Sequence, residues 1–217
     1  MSFEEDIKDP EKLQNYVNAY VKMASVLYLN DLLSDADIQD HNKIIKKIIE
    51  LRGEADLNVK VDFRPGVLKI ARNLKKKKNY MFAKVFYQMY FEHTINSIIV
   101  YSCDEKNISK ESESQIIRRV NWDGKFTWVL ELLGLPQIDN HHLKIISKVN
   151  EARNYIAHYK FKSTPLNEST NYNEKKEAEE IDMIEKTILY MAKYEKEVKK
   201  RDVEKLKKFK KHFFKNK

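Results

Sequence analysis

Glycine and proline together occupy only eight of the 217 positions, against roughly 12% in an average chain. Both residues disfavour helix interiors, glycine through backbone entropy and proline through its missing N–H and ring clash. A chain this poor in breakers can be helical almost throughout, so an all-α fold is expected. The eight also fall where boundaries would be needed. Asp9-Pro10 reads as a cap followed by proline in the first turn. From there Leu13, Val17, Tyr20, Val21, Ala24, Leu27 and Tyr28 recur at helical spacing, predicting a helix that ends near Leu33. A second is expected from Ala36 to Leu51, with Ile38, Ile44, Ile45, Ile48 and Ile49 on its inner face. Leu57, Val59, Val61 and Phe63 alternate, which leaves a short extended piece open.

Arg64-Pro65-Gly66 reads as a turn, followed by a short helix over 67–77. The most apolar stretch, Tyr80 to Tyr101, carries Phe82, Val85, Phe86, Met89, Tyr90, Ile95, Ile98 and Ile99, the pattern of a central bundle helix. Cys103 to Ser114 reads as a loop leading into a helix over 114–120. A single helix is then expected from Trp122 to Leu133, stopped by Gly134 and Pro136. Asp139 or Asn140 caps the next, whose apolar positions are Leu143, Ile146, Val149, Ala152 and Ile156. After a polar loop over 162–173, a last helix starts near Glu174 and continues into the C-terminus. Three segments result: an N-terminal helical extension over 1–65, a helical bundle over 66–195 and a basic tail over 196–217.

Charge separates the tail from the rest. The chain has 41 Lys+Arg and 33 Asp+Glu, a net charge of +8. Residues 196–217 contain eleven basic and three acidic side chains, so the surplus of eight lies wholly there. A neutral body with a cationic end suits an acidic partner such as nucleic acid. Val203, Leu206, Phe209 and Phe213 are spaced three, three and four apart, so a helix there would carry an apolar stripe with lysines around it. Lys207, Lys208, Lys210 and Lys211 are the candidate RNA-backbone contacts.

Composition also excludes functions. Four scattered glycines cannot form a dinucleotide fingerprint or a phosphate-binding P-loop. A single cysteine, Cys103, rules out disulfide scaffolds and cysteine-based zinc sites. His93 and the adjacent His141-His142 offer no metal-binding spacing and read as surface histidines. No cofactor and no metal are expected. No apolar run reaches the length of a membrane span, and the acidic N-terminus lacks a signal-peptide core, so a cytoplasmic protein with no membrane contact is the default expectation. The aromatic cluster Tyr80, Phe82, Phe86, Tyr87, Tyr90 and Phe91 sits at helical spacing and reads as core rather than as a base-stacking surface.

The chemistry-bearing segment is Arg153-Asn154-Tyr155-Ile156-Ala157-His158, at the end of an amphipathic helix. Asn154 and His158 are four apart and share a helix face. Histidine can take or give a proton near neutral pH. Arginine can hold the negative charge that develops on phosphorus oxygens. The bland alternative is a helix-end histidine favourable to the dipole and an arginine in a surface ion pair with Glu151.

These residues, within "IISKVNEARNYIAHY", resemble the motif helix of the HEPN family, whose ribonuclease members carry Arg-x(4–6)-His, often with a polar residue after the arginine. The upstream order is similar too: an apolar helix with an internal acid, Glu92 in "YFEHTINSII", then "KFTWVLELLGLP", then the motif helix. The resemblance covers about residues 66–200. It implies an up-and-down helical bundle and a homodimer in which two Arg/His motifs face one cleft. It also implies metal-independent cleavage of RNA, with the 2′-OH as nucleophile. Carried over, His158 is the general base or acid, Arg153 stabilises the phosphorane and Asn154 orients a partner or the phosphate. Glu92 is a supporting acid, Tyr159 a further supporting residue, and Lys160 a candidate RNA contact beside the site. Many such proteins are toxins or abortive-infection effectors with an antitoxin or inhibitor protein. Some are controlled by modification of a tyrosine in His-x-Tyr. Here Tyr159 follows His158 directly and Lys160 holds the extended position. The alternative reading is a HEPN module that binds RNA or protein without cutting, such as a nucleotidyltransferase partner.

Overall fold

The structure is a computed structural model, and it describes residues 9–51, 62–157 and 174–214. Every element among them is a helix: α1 Pro10–Leu29, a 3-10 turn Asp37–Gln39, α2 His41–Leu51, α3 Arg64–Lys76, α4 Tyr80–Glu105, α5 Lys110–Arg119, α6 Trp122–Phe126, α7 Trp128–Leu132, α8 Asn140–Ala157, α9 Glu174–Val198 and α10 Lys200–Phe213. The suggested extended piece at 57–63 and the loop at 162–173 fall largely outside the described residues. None of these helices is long and apolar enough to cross a membrane.

The chain divides into two compact units, one from residues 1–60 with 200–217 and one from 61–199. In the larger, α4 is the central element, packed by α3, α8 and α9. It is buried almost all round, with Ala83, Tyr87, Phe91, Ile95, Ile98, Ile99 and Cys103 fully inside. The core is completed by Phe126, Val129, Leu130, Ile146, Val149, Ile181, Ile184 and Met191. Charge pairs tie α9 to α3 and α4: Arg64 to Glu195 at 2.6 Å, Arg72 to Glu185 at 2.8 Å, and Lys84 to Glu177 and Glu180 at 2.8 and 2.7 Å.

The smaller unit closes around Ala24, Leu27, Tyr28, Leu33, Ile38 and Ile44 together with Phe209 and Phe213. The C-terminal helix α10 thus inserts its phenylalanines into the core of the N-terminal segment. Polar contacts follow the same path, with Lys205 at 2.7 Å from Asp31 and Lys208 at 2.6 Å from Asp35. Tyr28 donates to Asp35 at 2.6 Å. Burial and that carboxylate push its phenol up to about 12.

Several expected boundaries move. α1 stops at Leu29, because Asp31 adopts a left-handed conformation (φ 59°) and the Leu32 N–H returns to the Leu27 carbonyl. Arg64-Pro65-Gly66 is the first turn of α3 rather than a turn before it, since proline near a helix start loses no intrahelical bond. α4 runs a turn beyond Tyr101, so Cys103 is a buried helical residue and not a loop thiol. Burial raises its pKa first, with Glu113 and Asp104 adding to the effect. Trp122 to Leu133 is broken at Thr127 (φ −126°, ψ −100°), whose hydroxyl donates to the Asp123 carbonyl. Three residues expected inside point out: Ile45, Ile49 and Phe82, the last 51% exposed.

Candidate functional site

α8 begins at the Asp139 carboxylate, which accepts from the His141 N–H at 2.9 Å. Its buried residues Ile145, Ile146 and Val149 anchor it in the bundle core. That anchoring turns Asn150, Arg153 and Asn154, three and four residues apart, to another side. Arg153 and Asn154 are half-buried, and the Arg153 guanidinium donates to the Asn154 side-chain oxygen at 3.1 Å. His158, Tyr159 and Lys160 lie outside the described residues.

Arg153 is shared by two adjoining concavities. One, of about 610 Å³, is lined by Val85, Met89, His93, Asn96 and Ile156 with Gln88, Glu92 and Arg153. The other, of about 280 Å³, is bounded by α4, α5, α6 and α8. It is lined by Gln88, Glu92, Arg118, Trp122, Lys125, Asn150, Arg153 and Asn154, with Ile117 and Val120 beside them. Glu92 therefore stands with Arg153 and Asn154, three of the residues singled out from sequence in one place. Gln88, itself buried, donates to Glu92 at 3.2 Å and fixes the carboxylate's side of the helix.

The smaller cavity contains three cations, Arg118, Lys125 and Arg153, against one carboxylate, Glu92. No ion pair to any of the three is found among the described residues. Lys125 is only 5% exposed. Desolvation lowers its pKa, and the Glu92 charge opposes that shift only in part. Trp122 lies three residues earlier on the short helix α6, and its buried indole N–H has no acceptor among the described residues. Chemically the arrangement offers fixed positive charge, amide donors and one carboxylate around a space large enough for a phosphate group.

Lys125, Arg118, Trp122, Gln88 and Asn150 were not singled out from sequence. The only available signal for Lys125 was a lysine set between Trp122 and Phe126 in an otherwise core-like segment, and a one-dimensional pattern does not reveal that it has no ion pair among the described residues. The other candidates are placed as follows. Lys207, Lys208, Lys210 and Lys211 are exposed on α10, in the smaller unit, with Lys208 paired to Asp35. His93 and His141 are exposed. His142 stacks on Tyr190 at 4.0 Å and shares a hydrogen bond with the Thr187 hydroxyl, and burial lowers its pKa. Among the described residues no group of three or more His, Cys, Asp or Glu side chains is arranged to hold a metal ion. The chain matches no known family, curated protein or solved structure.

Proposed function

We propose that this protein is a metal-independent endoribonuclease of the HEPN type, acting as a homodimer. The observation that supports this most is the cavity at Arg153, where three cations without an ion-pair partner among the described residues meet Asn154 and Glu92. A site that concentrates positive charge where water is partly excluded is suited to a reaction that builds negative charge on phosphorus. In the sequence His158 follows the last residue of α8 directly, one helical turn after Asn154.

In this reading His158 takes the proton of the RNA 2′-OH. The 2′ oxygen forms a bond to phosphorus as the bond to the 5′ oxygen breaks. The products are a 2′,3′-cyclic phosphate and a 5′-OH, which receives a proton. Arg153 holds the non-bridging oxygens, and Asn154, by accepting from Arg153, fixes the guanidinium. Glu92 limits the field of the three cations. DNA lacks the 2′-OH and is not cut. The family resemblance adds the setting of a toxin or abortive-infection effector restrained by an inhibitor protein.

The test is RNA cleavage in EDTA with end-group analysis. Wild-type protein is expected to leave cyclic-phosphate ends. Arg153→Ala and His158→Ala are each expected to lose at least about 100-fold in rate, the scale of a lost proton-transfer or charge-stabilising group, while keeping wild-type mass in solution and thermal stability. Variants that bind RNA as wild type does, from a wild-type protein that never cuts, would instead select the non-catalytic binding module.

A further inference from the structure

We infer that Lys125 is a phosphate ligand of this cavity and holds a backbone phosphate of single-stranded RNA opposite Arg153. The inference takes RNA as the ligand from the reading above; its geometry stands separately. Lysines are almost never this buried unless paired, because an ammonium group removed from water without a partner is costly. The same fold shows the usual solution: Lys84, 9% exposed, lies at 2.8 and 2.7 Å from two carboxylates. The Lys125 ammonium is more buried and makes no hydrogen bond or ion pair among the described residues, and the Glu92 carboxylate only partly opposes its desolvation.

Its placement is imposed by the fold. Phe126, the next residue, is fully buried, and its ring lies 4.8 Å from that of Trp122 at a tilt of 43°, which holds the α6 turn. Trp122 and Lys125, three apart, then face the same cavity as Arg153 and Asn154. A general-base role would suit a lysine whose ammonium form is disfavoured. Two arginines in the same cavity argue against it, since they favour an anion there, and an anion restores the charge that burial opposes. A phosphodiester supplies that anion with two free oxygens, one for Arg153 and one for Lys125.

Trp122 reports on the cavity directly. Replacing Trp128, half-exposed, by Phe leaves it as the one remaining tryptophan of two. In that background, Trp122 fluorescence is titrated with inorganic phosphate and with a 2′-O-methyl RNA oligonucleotide that cannot be cleaved. Both are expected to change the emission and to compete. Lys125→Met should weaken each by about tenfold or more, the effect of removing one charge-assisted hydrogen bond, with a melting temperature no lower than the parent. Lys125→Gln, which keeps a polar end, should behave alike in affinity.

Unchanged affinities in both Lys125 variants overturn the inference, as does phosphate binding that the RNA cannot displace. The two readings fail separately. Lys125-dependent binding of both probes by a protein that cuts no RNA removes the nuclease and leaves the phosphate site. RNA cleavage with unchanged KM in Lys125→Met leaves the nuclease and removes Lys125 from it.

Discussion

Two buried lysines in one bundle show how the same residue type can serve opposite ends. Burial disfavours the charge of both. For Lys84 the two carboxylates outweigh that cost and its pKa is raised. Lys125 has no carboxylate paired with it among the described residues, and its pKa falls. Removing the first charge strands Glu177 and Glu180, so Lys84→Met is expected to cost on the order of 2–3 kcal/mol, below the ~3–5 of a fully buried pair because both acids are partly exposed. A melting curve checks this, and the contrast with Lys125→Met is in sign. Glu195 gives the pH counterpart. Burial raises its carboxyl, but hydrogen bonds from Lys199 and Arg64 outweigh that and hold it below the ordinary glutamate range. Glu185, held by Arg72 and Tyr87 against its own desolvation, behaves likewise. A depressed carboxylate contributes stability that is present above its unfolded pKa and is lost as pH falls through the folded one. The melting temperature should therefore drop as pH falls below about 4, and Glu195→Gln should lower the neutral-pH value while flattening that acid limb.

At the level of the element, the short helix α6 decides whether the site exists. Its N-cap Asn121 accepts from the Gly124 N–H at 2.8 Å. A side chain at Gly124 would lie 2.6 Å from the Trp128 indole nitrogen and 2.8 Å from both Asn121 and Val120. Gly124→Ala is thus expected to cost about 1–3 kcal/mol through overpacking. It should also shift Lys125 and weaken phosphate binding, read by calorimetric titration with Trp128 in place, whereas Gly66→Ala, with open space around it, should do neither. The sequence pattern missed the break that makes α6 separate. Thr127 differs from its neighbours in helix propensity by only a few tenths of a kcal/mol, so packing around Trp122, Phe126 and Trp128 sets the kink and no local signal announces it. Long elements were legible for the opposite reason: scarce breakers and a repeated apolar spacing leave α4 and α8 no other regular structure. The motif residues Arg153 and Asn154 were likewise legible, being consecutive in the chain. Lys125 was not, because its meaning depends on which side chains of three other helices line the cavity around it.

For the whole molecule, the basic tail changes character. Read alone, it is an amphipathic cationic helix that could clamp RNA, pack on the body or stay apart. In the structure its apolar stripe is spent: Phe209 and Phe213 belong to a core with Ala24, Leu27, Tyr28 and Ile44. Deleting 196–217 would therefore take both phenylalanines out of that core, and weaker RNA binding would then say nothing about charge. The informative variant keeps the stripe and reverses only exposed lysines outside the Asp35 pair. Lys207→Glu, Lys210→Glu and Lys211→Glu combined should leave the melting temperature within a few degrees, while Phe209→Ala should lower it, by about 3–5 kcal/mol in stability. If α10 contacts RNA, the triple variant binds more weakly and its plot of log affinity against log salt flattens by roughly 0.7 for each phosphate no longer neutralised. Cleavage of RNA already bound should proceed at the wild-type rate, because Arg153 and its cavity belong to the other unit. An unchanged salt slope would assign α10 to the architecture of the N-terminal unit alone and leave its charge without a part in substrate binding.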